Sequence, residues 1–228
     1  MPGLAIGSQE RPLAMTAYDV NVPSVQNLKE YRLQPGPAGA DPAQARQRAL
    51  GKLAEQQSRR GSDLEFLRHT TRSALKSAQN IEEVLARGTG NVSYPGTGLG
   101  QKLQAASRVI ASDLGTRIVF VSLGGFDTHS QQQGAHQGLL AELSGAVDAF
   151  FRDLEQQGLD DRVMLVTFSE FGRRVHENGS LGTDHGAASQ MFVLGPHTNG
   201  GLVGDHPSLT DLTQGDLKHH TDFRSVYA

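Results

Sequence analysis

The chain has 228 residues, of which 37% are hydrophobic and 20% charged, and its formal net charge is −3 at pH 7. That length is enough for one α/β domain with a sizeable core, and the acidic balance argues against a nucleic-acid-binding protein. The absence of cysteine excludes disulfides and thiolate chemistry. No apolar run reaches the roughly 18–20 residues that a membrane-spanning helix needs.

The first half of the chain predicts an arm followed by helices. Residues 1–40 contain several prolines and glycines without a sustained period, which predicts an extended, partly packed N-terminal arm. Residues 41–114 predict a helical segment with helices that begin near 41, 63 and 99. Asp41 followed by Pro42 is typical of a helix start.

The pattern changes near residue 115, and residues 115–228 predict an α/β region. Residues 118–121 and 163–168 are short apolar runs, typical of strands that are buried on both faces. A long amphipathic helix lies between them, and residues 191–194 predict a further strand. Strand, helix and strand in this order predict a βαβ crossover, and hence a partly parallel central sheet flanked by helices.

Polar clusters follow the predicted strands, and ligands of such sheets bind at the carboxyl ends of the strands. Asp127 and His129 follow the first run, and their oxygen and nitrogen atoms suit a divalent ion such as Zn or Mn. The spacing allows equally that Asp127 caps the next helix while His129 faces solvent.

A second cluster contains Glu170 and Arg173, directly after the next apolar run. Glu170 is suited to act as a ligand or a general base, and Arg173 to hold an oxyanion through two hydrogen bonds. A surface salt-bridge patch explains the same residues equally well.

The third cluster places Asp184 and His185 between Gly182 and Gly186. Because glycine permits unusual backbone angles and close approach, this arrangement favours metal ligation over a β-turn in which Asp184 bonds its own backbone. The sequence contains no Gly-x-Ser-x-Gly elbow, phosphate-binding loop or His-Glu-x-x-His helix.

Four segments carry a family resemblance that covers most of the chain. Residues 124–130, 169–173, 178–180 and 182–186 resemble, in order and spacing, the motifs of the DUF1501 family, a bacterial group of the alkaline phosphatase/sulfatase superfamily. The resemblance implies an alkaline-phosphatase-like fold that binds one or two divalent ions, with Zn, Mn and Ca as candidates.

The same resemblance implies roles for individual residues. Asp127 and His129 correspond to one metal-binding pair, and Asp184 and His185 correspond to the other. Glu170 and Arg173 lie in a family motif and are the catalytic candidates. The expected function is metal-dependent hydrolysis of small phosphate or sulfate esters; the alternative is a non-catalytic binding or structural module.

The resemblance also implies that the sequence is a fragment, truncated at both ends. Full members of the family are about twice as long and begin with a twin-arginine export signal, which suggests a periplasmic location. Their N-terminal strand bears a further metal-binding aspartate and the nucleophile. We therefore expect activity to need a complementing N-terminal half.

Overall fold

The computed structural model describes residues 2–8, 10–16, 22–28, 43–86 and 91–227. The predicted helix start at Asp41 and Pro42 lies outside the described residues. The chain forms two compact units, Met1–Ser122 and Leu123–Ala228, so their boundary lies close to the change of pattern near residue 115. None of the helices among the described residues combines the length and the apolar character needed to cross a bilayer.

The first unit contains a parallel sheet of three strands. β1 (Gly3–Ile6) lies in the centre, between β2 (Ser24–Val25) and β3 (Ile118–Val121). Ala5 of β1 pairs with a residue on each side, and the side chains of Leu4 and Ala5 are completely buried. The prediction of a partly parallel sheet with flanking helices is confirmed, and the central strand lies within the segment predicted as an arm.

Three helices follow in this unit, as predicted: α1 (Ala43–Glu55), α2 (Asp63–Ala86) and α3 (Gly98–Ala111). The hydroxyl of Thr97 accepts a hydrogen bond from the backbone N–H of Gly100 and so caps α3. α3 buries Leu99, Leu103 and Val109, which recur at helical spacing. A single 3₁₀ turn, Leu13–Met15, lies between β1 and β2.

The described residues of the second unit form one long helix, three two-stranded antiparallel ribbons, a 3₁₀ turn and a short C-terminal helix. α4 (Gln132–Gln156) ends just before Gly158, and a 3₁₀ turn follows at Asp160–Arg162. The ribbons pair β4 (Leu165–Val166) with β7 (Val193–Leu194), β5 (Gly172–Glu177) with β6 (Thr183–Gly186), and β8 (Leu212–Thr213) with β9 (Asp216–Leu217). A short helix, α5 (Phe223–Tyr227), follows.

Two predictions about the apolar runs are wrong. β4 pairs antiparallel with β7, so it does not take the parallel partner that the predicted βαβ crossover requires. The runs are also not buried on both faces, because Ile118 is 61% exposed and Met164 is 67% exposed. A short apolar run looks the same whether its strand is central or at an edge, and β3 is an edge strand beside the fully buried β1.

Candidate metal centre

Three metal-ligating side chains of the second unit converge on one point. Asp127 and His129 lie in the segment before α4, and His185 lies in β6. Oδ1 of Asp127 is 2.7 Å from Nε2 of His185 and 2.9 Å from Nε2 of His129. The two Nε2 atoms are 3.3 Å apart. The structure therefore brings both residues of the first predicted pair together with His185 of the second.

These separations fit the donor atoms of one ion. Metal–ligand bonds of about 2.0–2.2 Å at tetrahedral or octahedral angles put neighbouring donor atoms about 2.8–3.6 Å apart. Those measured between Asp127, His129 and His185 run from 2.7 to 3.3 Å. Two of the separations lie in this range and 2.7 Å lies just below it, so these three are the described side chains that could hold one cation together.

Asp184 contacts His129 on the ring nitrogen that faces away from Asp127. Its Oδ1 lies 3.3 Å from Nδ1 of His129. Since a carboxylate only accepts hydrogen bonds, this contact favours a proton on Nδ1 of His129. The contact of Nε2 with Oδ1 of Asp127, at 2.9 Å, favours a proton on Nε2 in the metal-free protein, and a metal ion would replace that proton. The pKa of Asp184 is lowered, chiefly by the hydrogen bond from Asn178 and then by the one from His129, so its carboxylate stays ionised.

The loop between β5 and β6 lies directly against the segment that carries His129. Backbone N–H groups of Gln131 and Gln132 donate to the carbonyls of Ser180 and Leu181 at 3.0 and 2.9 Å. A Cβ at Gly182 would lie 2.2 Å from the carbonyl carbon of His129. The close approach of the two ligand-bearing segments therefore requires glycine at position 182.

The ring of Phe171 stacks on the ring of His185. Their centroids are 4.0 Å apart and the planes differ by 7°. The guanidinium of Arg173 also lies over the Phe171 ring, 4.9 Å from its centroid. This stack restricts the rotation of His185, whose Nε2 must point at Asp127 to join the cluster.

Arg173 ties two segments together. Its Nη1 donates to the carbonyl of Thr183 at 2.5 Å, and its Nη2 donates to the carbonyl of Phe126. The side chain is only 19% exposed, and Nη2 lies 3.8 Å from Oδ1 of Asp127. The donors that were expected to hold an oxyanion are thus largely used by backbone carbonyls, and the positive charge remains beside the cluster.

The pKa of Asp127 is also lowered, chiefly by the hydrogen bond from His185, with smaller effects of the charges on His129, His185 and Arg173. Glu170, the other catalytic candidate, lies on an exposed bend before β5. No group of metal-ligating side chains among the described residues includes it.

Sequence reasoning found all the donor atoms of the cluster but not its grouping. The sequence pairs Asp184 with His185; in the structure both contact His129, and His185 also contacts Asp127. It assigned no role to Phe171 or Asn178, although both lie in the quoted motifs. Their contacts with His185 and Asp184 depend on how β5 pairs with β6, which local spacing does not encode.

Comparison with known proteins identifies a family. Residues 14–225 match the model of the family described as "Protein of unknown function (DUF1501)". No curated protein matches the chain, and neither does any solved structure. Because the matched region spans nearly all of the sequence, the chain belongs to the DUF1501 family.

Proposed function

We propose that this chain binds one divalent transition-metal ion through Asp127, His129 and His185, and that the bound ion serves the hydrolysis of phosphate or sulfate esters. The observation that carries the proposal is the convergence of three donor atoms within 2.7–3.3 Å of one another.

The charge of the cluster supports a cation at this point. Oδ1 of Asp127 lies 2.9 Å from Nε2 of His129 and 2.7 Å from Nε2 of His185. The pKa of Asp127 is lowered, chiefly by the hydrogen bond from His185, so its carboxylate is ionised. A divalent ion at this point would take the place of the ring protons that otherwise lie between these atoms.

The donor set indicates the class of ion. Two imidazole nitrogens and one carboxylate oxygen suit Zn, Mn, Fe and similar ions, whereas Ca binds about six to eight oxygen atoms. Of the ions that the family resemblance suggests, Zn and Mn therefore fit better than Ca. Asp184 faces His129 and so supports a single ion at this cluster.

The exposure of the cluster supports catalysis over a purely structural site. Side chains of Asp127, His129 and His185 are 46–61% exposed. Catalytic sites keep a position open for water or substrate, whereas structural zinc sites are closed by four protein ligands. When bound, the ion would supply a Lewis acid for an ester oxygen, and Arg173 beside Asp127 would offset negative charge of the substrate.

The substrate class and the alkaline-phosphatase-like fold rest on the resemblance of the four motif segments to that superfamily. The same resemblance implies a nucleophile on an N-terminal strand. We therefore propose that the chain supplies the metal-binding part of the enzyme, and that a complementing half supplies the attacking group.

Assays with p-nitrophenyl phosphate, bis-p-nitrophenyl phosphate and p-nitrophenyl sulfate test this function. We expect turnover by the Zn- or Mn-loaded protein, alone or with a complementing N-terminal segment, and its loss in His185→Ala. The control His206→Ala alters an exposed histidine that bonds the adjacent Pro207 carbonyl, and it should stay active. Stoichiometric metal without any turnover in either setting would contradict the hydrolase and favour a binding or structural module.

A further inference from the structure

Asn178 follows β5 directly and makes four side-chain hydrogen bonds around the candidate metal centre. Its Nδ2 donates to the carbonyl of His129 at 2.9 Å and to Oδ1 of Asp184 at 3.2 Å. Its Oδ1 accepts from the backbone N–H groups of Ser180 and Gly182 at 2.9 and 3.1 Å. One amide thus contacts both segments that carry the donor atoms.

The orientation of this amide is determined by its partners. Backbone N–H groups can only donate, so the atom that faces Ser180 and Gly182 must be the oxygen. The carbonyl of His129 and the carboxylate of Asp184 can only accept, so the atom that faces them must be the nitrogen. No other side chain of similar size offers both an acceptor and a two-proton donor in this arrangement.

The hydrogen bond from Asn178 to Asp184 connects the amide to His129 of the cluster. The oxygen that accepts from Asn178 is the same Oδ1 that lies 3.3 Å from Nδ1 of His129. Outer contacts of this kind fix the tautomer and the ring orientation of a metal-binding histidine. A second bond to the His129 carbonyl fixes the backbone of the same residue.

We propose that Asn178 is a positioning residue of the metal centre, whose amide holds the Asp184 carboxylate against Nδ1 of His129 and so directs Nε2 of His129 toward the ion. This inference rests on the proposed function for its biological meaning. Its structural part, the control of the His129 tautomer, can be measured without a metal.

The variant Asn178→Asp removes the hydrogen bonds that the amide donates and keeps those that it accepts. Its carboxylate still accepts from Ser180 and Gly182, so the loop keeps those bonds, but it cannot donate to His129 or Asp184. The matched control is Asn199→Asp, which makes the same change of charge at an exposed position in the loop after β7. Far-UV circular dichroism verifies that both variants are folded.

Nitrogen-15 NMR of the metal-free protein, labelled at histidine, reports the tautomer. We expect Nδ1 of His129 to carry a proton in the wild type and in N199D, and to lose part of that protonation in N178D. Titration with Co²⁺ should show affinity lowered about 10–100-fold in N178D, the usual cost of losing an outer partner, and unchanged in N199D.

A double variant tests whether Asn178 acts through Asp184. The combination N178D/D184N should bind Co²⁺ about as weakly as the weaker single variant, because both residues act on the same imidazole. The inference would be overturned if the double variant lost Co²⁺ affinity by the product of the two single losses. A folded N178D with the wild-type protonation of His129 and the wild-type affinity would also overturn it. A wild type that keeps the Nδ1 tautomer but binds no Co²⁺ contradicts the proposed function alone, and the positioning role then stands on the NMR result.

Discussion

Nε2 of His185 lies 2.7 Å from Oδ1 of Asp127, although 58 positions separate the two residues in the sequence. The contact exists because the β5–β6 ribbon lies against the segment before α4, where Gly182 meets the backbone of His129. The geometry of the cluster thus depends on backbone packing as much as on its donor atoms.

Replacement of Gly182 by alanine should disrupt this packing. A Cβ there would lie 2.2 Å from the carbonyl carbon of His129, and a backbone atom cannot move aside cheaply. We expect a loss of about 1–3 kcal/mol in the free energy of unfolding, measured by urea denaturation. The control Gly179→Ala has no atom within 4 Å of the added methyl and should leave stability nearly unchanged. Equal effects of the two substitutions would contradict the close approach.

Arg173→Lys should cost stability because lysine keeps the charge but cannot reach two carbonyls with a planar fork. Loss of the bonds to Thr183 and Phe126 should lower the free energy of unfolding by about 1–3 kcal/mol. Arg152→Lys is the control, since Arg152 forms an exposed i,i+4 pair with Asp148, and such pairs are worth about 0.3–0.5 kcal/mol. A stable R173K with reduced turnover would instead support the role of an oxyanion-binding arginine.

The metal-free protein should lose stability in acid through Asp184. Its pKa is lowered in the folded state by Asn178 and His129, so the unfolded chain takes up its proton at a higher pH than the folded one. This contribution is complete above about pH 4 and disappears as the pH falls through the lower folded value. Asp184→Asn should therefore flatten the dependence of urea unfolding on pH between about 5 and 3. The exposed Asp205 provides the control, D205N, and an identical flattening there would refute the assignment.

How far the sequence predicts the structure differs between the fold and the site. The helices that begin near residues 63 and 99 follow from apolar side chains at helical spacing. The central strand Gly3–Ile6 was missed because four residues buried on both faces show no alternation. The run at 118–121 predicts a strand buried on both faces, but its burial is determined by strand order, which the local sequence does not contain.

For the site, the chemical types of the residues were sufficient to name the donors Asp127, His129 and His185. Their convergence was not predictable from local spacing, because it depends on the packing of the β5–β6 loop against the segment before α4. Asp184 and His185 are neighbours in β6 and both contact His129, Asp184 at Nδ1 and His185 at Nε2. Asn178 has its role only when two separate segments surround it, so no local pattern identifies it.

The most direct test of the account is a titration of the metal-free protein with Co²⁺, monitored by visible absorption and by calorimetry. We predict one ion per chain. His185→Ala should weaken binding by more than the roughly 10–100-fold that loss of a hydrogen-bond partner of a metal ligand causes. His206→Ala should bind as the wild type does. Less than about 0.1 ion per chain, or equal binding by the wild type and H185A, would contradict the proposed metal centre.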